Sequence, residues 1–598
     1  MCGIVGLLHY KDKSLLTKMN EIQTHRGPDW KGEFWDDRNM VGLAMRRLSI
    51  VDVDSGHQPM ANEDGKIVLV FNGEIFNAPV LRKKLLKQGH IFKTKSSDTE
   101  VLVHLYEEYG VEMLNRLNGM FAFAIYDLKK KILFMARDQM GIKPLHYYYN
   151  GKQLAFASEL KSLSKTGISR KKLDMQSVWQ YMSLQCIPAP MTIYEDVKTL
   201  PSAHYLLFDI QKSSLTVKKY WDCIADRKVY TGTKRELREY VRDNIIEACE
   251  RWTMSDVPLA CSLSGGLDSS VIAAVISRKH ELHTYSLGFT EQTDCDERAL
   301  ARELARKYGT DHEEILVDPD DLLEDIKEMI RALDTPYAGG LPSWFVFKRI
   351  KGHEKVVFNG TGGDELFGNY SKWLRYEHPL ERIRSYQQYH QFGESVGEFF
   401  HYPTGSIYHK YMSEGMKRRI LLDKGDENWN TNSYIEKKMK ECPDKRWRDR
   451  IPYVDFKIQL PEEFLMMIDR FSMNFSIEAR VPFLDRELVE KILGIPCSFR
   501  TRKYEAKYLL KEAMGDFLPE SFLSAPKKGF VFPYCEWLYG RLKENVLDLC
   551  TGEYIHHQGI FSNRLEKELI IPFYNGNKRL TPLVWTVLMF QWWYQEVG

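Results

Sequence analysis

Pro258-Leu259-Ala260-Cys261-Ser262-Leu263-Ser264-Gly265-Gly266-Leu267-Asp268-Ser269-Ser270 decides the fold of the larger part of the chain. Residues 258 to 263 read as a buried strand, and Ser269 to Lys279 continues with helical spacing. Between them, Gly265 and Gly266 let main-chain amides approach an anion closely, while Ser264, Ser269 and Ser270 add hydroxyl donors. The start of the helix contributes unpaired N–H groups and the positive end of its dipole. Strand, glycine turn and helix in that order make a phosphate cradle. No lysine follows the glycines, so this is not the GxxxxGK[ST] loop. Asp268 would repel a phosphate, so magnesium is expected between them. A serine-capped glycine turn is the plain alternative, and a match of eight residues in this setting argues against it.

Working outward, Lys234 to Arg251 has helical spacing, and Thr284 to Phe289 reads as a second strand. Asp296 to Lys307 reads as a helix and Val356 to Phe358 as a third strand. This alternation predicts an α/β, doubly wound parallel sheet, with a mostly helical remainder towards the C-terminus. Upstream, Ile67 to Phe71, Phe121 to Asp127, Ile132 to Ala136 and Leu206 to Asp209 are short β-type runs, with helical spacing over Pro79 to Gln88 and Asp98 to Tyr109. That pattern fits an α/β unit rich in antiparallel sheet over residues 1–210. The Lys-rich polar stretch 211–233 reads as a linker, leaving 234–598 as the second unit.

Length and composition set the bounds. A chain of 598 residues allows about four average domains or two large ones. Its formal net charge of +2 argues against a nucleic-acid partner, which would demand a strongly basic face. Hydrophobic residues at 43% and charged residues at 28% describe a folded globular chain. The ten cysteines are scattered without a CxxC pair, which favours a reduced, cytoplasmic setting over a disulfide framework or zinc ribbon. No apolar stretch reaches the roughly 20 residues of a membrane span, and Pro582 to Tyr594 reads as a buried helix. The clusters Lys417-Arg418-Arg419 and Lys445 to Arg450 read as solvated helix faces.

Cys2 carries the second chemistry. Removal of Met1 would give it a free α-amine, so that one residue holds both a nucleophilic thiol and a base. The amine's ordinary pKa of roughly 8 suits proton transfer near neutrality. Arg47-Leu48-Ser49-Ile50-Val51 offers a guanidinium for a carboxylate. Asn72-Gly73-Glu74 ends a strand in a turn, where the Asn72 side chain and the Gly73 amide suit an oxyanion. Asp98 opens a helix and could hold an ammonium. Singly, each has a local explanation: a surface pair for Arg47, a hairpin for Asn72-Gly73, an N-cap for Asp98.

Together and in this order, these segments resemble the class II glutamine amidotransferase domain, an N-terminal-nucleophile hydrolase with an αββα sandwich. Ala136-Arg137-Asp138-Gln139-Met140-Gly141-Ile142-Lys143-Pro144-Leu145 extends the likeness, with His146 where that family usually has Tyr. The resemblance implies that Cys2 attacks the glutamine side-chain amide, with Asn72 and Gly73 as oxyanion donors. It further implies that Arg47 to Val51, Glu74 and Asp98 bind the amino-acid end. Leu263 to Ser270 resembles the loop of ATP pyrophosphatases, which adenylate a substrate and release pyrophosphate. Leu287 and Gly288, Asn359 and Gly360 join the implied ATP site, and Asp268 and Asp364 are the implied Mg2+ ligands. A Lys-x-Gly-Phe pattern selects Lys527 over its neighbour Lys528 as the adenylation lysine.

The whole chain resembles the glutamine-dependent asparagine synthetase family, which implies small-molecule substrates, a sheltered ammonia passage and a homodimer. Departures lie at the acceptor end. Asn359 and Thr361 stand where that family's loop has Ser and an acid or amide. Asp334-Thr335-Pro336-Tyr337-Ala338-Gly339 lacks two acids of the DEPxxD-type stretch. Aspartate is the expected acceptor, with a sugar uronate of surface-polysaccharide synthesis as the alternative. A tRNA-thiolating enzyme would call for a basic surface and catalytic cysteines, a scaffold would tolerate loss of Cys2, and a β-lactam-forming relative commonly lacks it.

Overall fold

A computed structural model describes residues 2–289, 297–368, 396–402, 408, 411–444, 446–500, 502, 505–524 and 533–598. The N-terminal part contains two six-stranded sheets. In the first, Cys2–Leu8 lies between Val41–Arg47 and Leu154–Ala157, antiparallel to both. In the second, Ile67–Ile75 pairs antiparallel with Gly119–Asp127, which pairs with Ile132–Arg137. Because strand side chains alternate, each sheet presents one face to the other sheet and one to helices. Ile4, Leu8, Leu43 and Met45 meet Val68, Val70, Ala124 and Met135 between the sheets. The outward positions Leu69, Phe71, Phe123 and Phe134 pack on Leu81, Leu85, Leu102 and Leu105 of helices Ala78–Lys87 and Asp98–Tyr109. Val5, Leu7 and Ala44 cover helices Lys13–Ile22 and Met175–Leu184. The result is the expected αββα sandwich.

The second part carries a five-stranded sheet in the order Asp311–Val317, His283–Phe289, Leu259–Ser262, Val356–Phe358, Glu478–Arg480. Every pairing in it is parallel. Both faces are covered, as a parallel sheet requires. Leu259, Cys261, Val356 and Phe358 face a core shared with Ile245, Val271 and Ile272, whereas Ala260 and Val357 face the one holding Trp344, Phe347 and Ile330. Strand order reverses between Leu259–Ser262 and Val356–Phe358, so the crevice beyond their carboxyl ends is where a doubly wound sheet binds ligands. The C-terminal helix Thr581–Glu596 buries Leu583 through Trp593, as its apolar run predicts. Among the described residues, no helix is long and apolar enough to cross a membrane.

Three expectations need correction. Strand Ile67–Ile75 does not end in a turn at Asn72-Gly73-Glu74 but runs on through them, paired antiparallel with residues 119–122, because Gly73 lets the neighbouring strand approach closely. The stretch read as a linker contains Ser214–Lys219, a strand pairing antiparallel with His204–Asp209 at the edge of the second sheet. Its polar, lysine-rich composition is that of an edge strand with a solvated face; only Leu215 and Val217 are half-buried. Lys417 is not solvated. It is fully buried, paired with Glu414 at 2.8 Å, and donates to Thr431 Oγ1 at 2.7 Å. These partners come from the fold, so helical spacing does not show them.

Candidate active sites

The first centre lies where the two N-terminal sheets meet. Register sets Cys2 opposite Arg47, and the Cys2 main-chain nitrogen donates to Asn72 Oδ1 of the other sheet at 3.0 Å. Asn72 is fully buried, and its Nδ2 has no hydrogen-bond partner. An amide donor left unpaired beside a nucleophile is what an oxyanion requires. Gly73 lies flush against the neighbouring strand: a Cβ there would stand 2.0 Å from Met120 O. Burial pushes the Cys2 thiol up, while the N-terminal charge, Arg47 and the Leu48 N–H pull it back.

Arg47 is nearly buried and donates to Val51 O at 3.0 Å, Asp52 O at 2.8 Å and Val53 O at 3.0 Å, curling residues 48–56 into a fixed loop. Ser49 N is held by Asp29 Oδ2 at 2.8 Å. Leu48, Ile50 and Val51 pack into a core shared with the second part. Glu74 and Asp98 are both buried carboxyls. Burial, with repulsion from Asp98 and Glu478, raises Glu74 well above the usual range. Burial raises Asp98 too, against the pull of the Ile75 N–H that donates to its Oδ2 at 2.8 Å. Asp98 is therefore not the N-cap; Ser97 occupies that position. Burial and mutual repulsion make an added positive charge favourable beside these two carboxyls, and an ammonium would supply it.

The second centre occupies the crevice of the parallel sheet. Leu263 N donates to Tyr285 O, and Gly266 caps helix Leu267–Ile276. Gly265 takes φ +77°, where a Cβ would strike Glu297 O at 2.5 Å. The Ser264 and Ser269 hydroxyls lie 3.0 Å apart, with Gly266 N donating to Ser264 Oγ at 3.2 Å. Asn359 and Gly360 arrive from the adjacent strand. Asn359 Oδ1 accepts from Thr361 N and Oγ1, and a Cβ on Gly360 would stand 2.8 Å from Ser269 N. Gly288 leaves room for the Arg298 side chain, and Leu287 is half-buried on the same strand.

Asp268 and Asp364 converge on Lys507, whose Nζ contacts the first and lies 2.6 Å from the second. Sequence reasoning missed Lys507. It precedes helix Tyr508–Met514 at φ +55° and reads as an ordinary solvated lysine; only tertiary contact marks it. The two carboxylates raise its pKa against burial. Lys527 and Lys528 lie outside the described residues.

The two centres share a buried polar boundary that the sequence also left unseen. Arg26, fully buried, donates to Cys2 O at 3.1 Å, Glu159 Oε1 at 3.0 Å and both oxygens of Asp469. Arg470 donates to His146 Nε2 at 2.9 Å, so His146 keeps its proton on Nδ1, against Thr199 Oγ1 at 3.0 Å. On strand Glu478–Arg480, Arg480 pairs with Glu478 at 2.7 Å, and its main-chain oxygen accepts from Asn359 N at 2.8 Å. One strand thus touches the surroundings of Glu74 and of the phosphate cradle.

Residues 1–221 match the family model described as glutamine amidotransferase domain, and residues 240–595 match that of asparagine synthase. The pairing defines a glutamine-dependent ligase. Asparagine synthetase [glutamine-hydrolyzing] 1 of Bacillus subtilis (strain 168) is 33% identical, the alignment covering 99% of this chain and 96% of that protein. Asparagine synthetase [glutamine-hydrolyzing] 3 of the same organism is 29% identical over 89% of this chain and 87% of that one. A protein named amidase chry2, from Gibberella zeae, is 28% identical over 94% of this chain and 93% of its own length. The chain belongs to the glutamine-hydrolysing asparagine synthetase family.

Proposed function

We propose that the chain hydrolyses glutamine at Cys2 and uses the ammonia to amidate a carboxylate activated as its acyl-adenylate, with aspartate as acceptor. The observation that carries this reading is the unpaired Asn72 Nδ2 beside Cys2, in the same chain as a phosphate cradle closed by Lys507. With Met1 removed, the Cys2 amine takes the thiol proton and the sulfur adds to the glutamine amide carbon. The oxyanion is met by Asn72 Nδ2 and the Gly73 N–H. The proton passes to the leaving ammonia, and water then releases glutamate from the thioester. Glu74 and Asp98 hold the α-ammonium, while the loop fixed by Arg47 receives the carboxylate.

At the second centre the acceptor carboxylate attacks the α-phosphorus of ATP, and pyrophosphate leaves. Ammonia then adds to the acyl carbon and AMP leaves. Glycine amides, Ser264 and Ser269 receive the phosphates, and Lys507 neutralises charge that develops there. Asp268 and Asp364 suit a hard cation, since two carboxylates already converge on one positive centre. Magnesium held there supplies charge neutralisation to the pyrophosphate. We place the reaction in the cytoplasm, in keeping with eight described cysteines that form no disulfide.

One observation favours a uronate as the second reading of the acceptor. Asp334, the acid left in the altered acceptor stretch, accepts from Lys161 N at 3.1 Å and faces Arg470 at 3.5 Å. The Thr361 hydroxyl is bound to Asn359 Oδ1 at 2.6 Å. Both polar groups are engaged within the protein rather than free for an amino-acid ammonium. The test is pyrophosphate release with ATP and ammonia across aspartate and a panel of free and nucleotide-linked uronic acids, with product masses. Aspartate-dependent release with an asparagine product supports the first reading; release with a uronate alone replaces it with the second; release of orthophosphate contradicts both.

A further inference from the structure

Away from both centres, Glu63, His90, His104 and Glu107 direct their ligand atoms to one point, all within 4.8 Å of one another. They come from separate segments. Glu63 lies in the turn between strands Met60–Ala61 and Ile67–Ile75, His90 follows helix Ala78–Lys87, and His104 and Glu107 lie one turn apart on helix Asp98–Tyr109. We propose that these four side chains form a zinc site that ties the three segments together, a reading independent of the function proposed above.

The spacing fits the ion. His104 Nδ1 lies 3.0 Å from Glu107 Oε2 and 3.6 Å from Glu63 Oε2. His90 Nδ1 lies 3.7 Å from Glu63 Oε1 and 3.7 Å from Glu107 Oε2. A tetrahedral ion with zinc–ligand bonds of about 2.0–2.1 Å separates its ligands by about 3.3 Å. These four separations, 3.0 to 3.7 Å, bracket that value.

The surroundings of the imidazoles fit as well. Each turns Nδ1 to the centre and Nε2 to a further carboxylate: His90 to Glu108 at 3.0 Å, His104 to Glu100 at 3.9 Å. Glu108 behind His90 keeps that ring's proton on Nε2 and aims its Nδ1 lone pair inward, the arrangement by which proteins orient metal-binding histidines. His104 Nε2, by contrast, is buried without a hydrogen-bond partner, and its ring packs against Phe92. Glu100 is itself fixed in place, accepting from Lys93 N at 2.7 Å, Thr94 N at 2.8 Å and Thr94 Oγ1 at 2.5 Å. The ring centroids stand 4.7 Å apart, so one cation can lie within reach of both Nδ1 atoms and both central acids. His104 is 1% exposed and Glu63 36%, so the cluster is anchored inside and open to solvent on one side. Two nitrogen and two carboxylate donors suit zinc, not magnesium or calcium. Asp98 begins the helix that carries His104 and Glu107, so the ion would stiffen the support of the first centre.

The full chain, stripped with a chelator, should bind one zinc ion by competition titration against a chelator of known affinity. Cobalt in its place should give the intense visible d–d bands of a tetrahedral site. His90→Gln, at the solvent side, should weaken zinc at least tenfold without altering the circular dichroism spectrum, and His90→Gln with His104→Gln should abolish binding. Zinc uptake unchanged in His90→Gln would overturn the assignment, as would cobalt bands of octahedral intensity or no uptake by the unaltered chain. In those cases the histidines share protons, not a metal, with their acids.

Discussion

Asn72→Ala offers the sharpest separation of chemistry from stability. In the structure Asn72 gives one interaction to the resting protein, accepting from Cys2 N at 3.0 Å, and keeps Nδ2 buried and unpaired. Losing the accepted bond costs about 1 kcal/mol, but an unpaired buried donor carries a desolvation penalty of about 1–3 kcal/mol that the substitution relieves. The two effects oppose each other, so the melting temperature should move little. Catalysis should not be spared. Removing one of two oxyanion donors costs about 3 kcal/mol of transition-state stabilisation, or roughly 10²–10³ in kcat. The assay is glutamate release under saturating glutamine, with ammonia-dependent pyrophosphate release measured on the same preparation. The expected result is a fall of at least a hundredfold in the first and none in the second. A loss under tenfold, or equal losses in both activities, would refute the oxyanion role.

Glu74 should make stability depend on pH. Its folded pKa is raised above the unfolded value, so its stabilising contribution is present below about pH 4.5 and is lost as pH rises through the folded value. Glu74→Gln should flatten that decline in thermal melts, and glutamine KM should rise as pH falls in the unaltered chain, because the ammonium calls for the ionised acid. A melting profile with the same slope in the variant would contradict this. Lys507→Met should cut pyrophosphate formation at least about a hundredfold while glutamine hydrolysis persists; parallel loss of both would mean that Lys507 only supports the fold. Gly363→Ala would put a Cβ 2.4 Å from Asp268 Oδ1, so pyrophosphate formation should fall with glutamine hydrolysis intact. Unchanged adenylation in that variant would remove Asp268 from the phosphate site.

Local patterns carried most of the fold. Strand–turn–helix order around Ser264 to Ser270 is a short-range signal, and the sheet reversal beside it follows from alternating strands and helices. Cys2 was legible from its place next to Met1, and Asn72 and Glu74 from residue type and order, although strand Ile67–Ile75 runs through them where the sequence suggests a turn. Lys507, Arg26 and Arg480 were not legible. Each acts through partners far away in sequence, such as Asp268 for Lys507 and Asp469 for Arg26, and neither spacing nor periodicity encodes such pairs. The edge strand Ser214–Lys219 was hidden for another reason: a half-solvated strand and a polar linker share one composition.

The central claim is that one chain holds two separable centres, one releasing ammonia and the other consuming it. Cys2→Ala, assayed with glutamine and with an ammonium salt as alternative nitrogen sources, tests it most directly. The account predicts that glutamine-dependent amide formation is abolished while ammonia-dependent formation, with AMP and pyrophosphate, continues at the rate of the unaltered chain. Loss of both activities in a folded variant, or survival of the glutamine-dependent one, would contradict it.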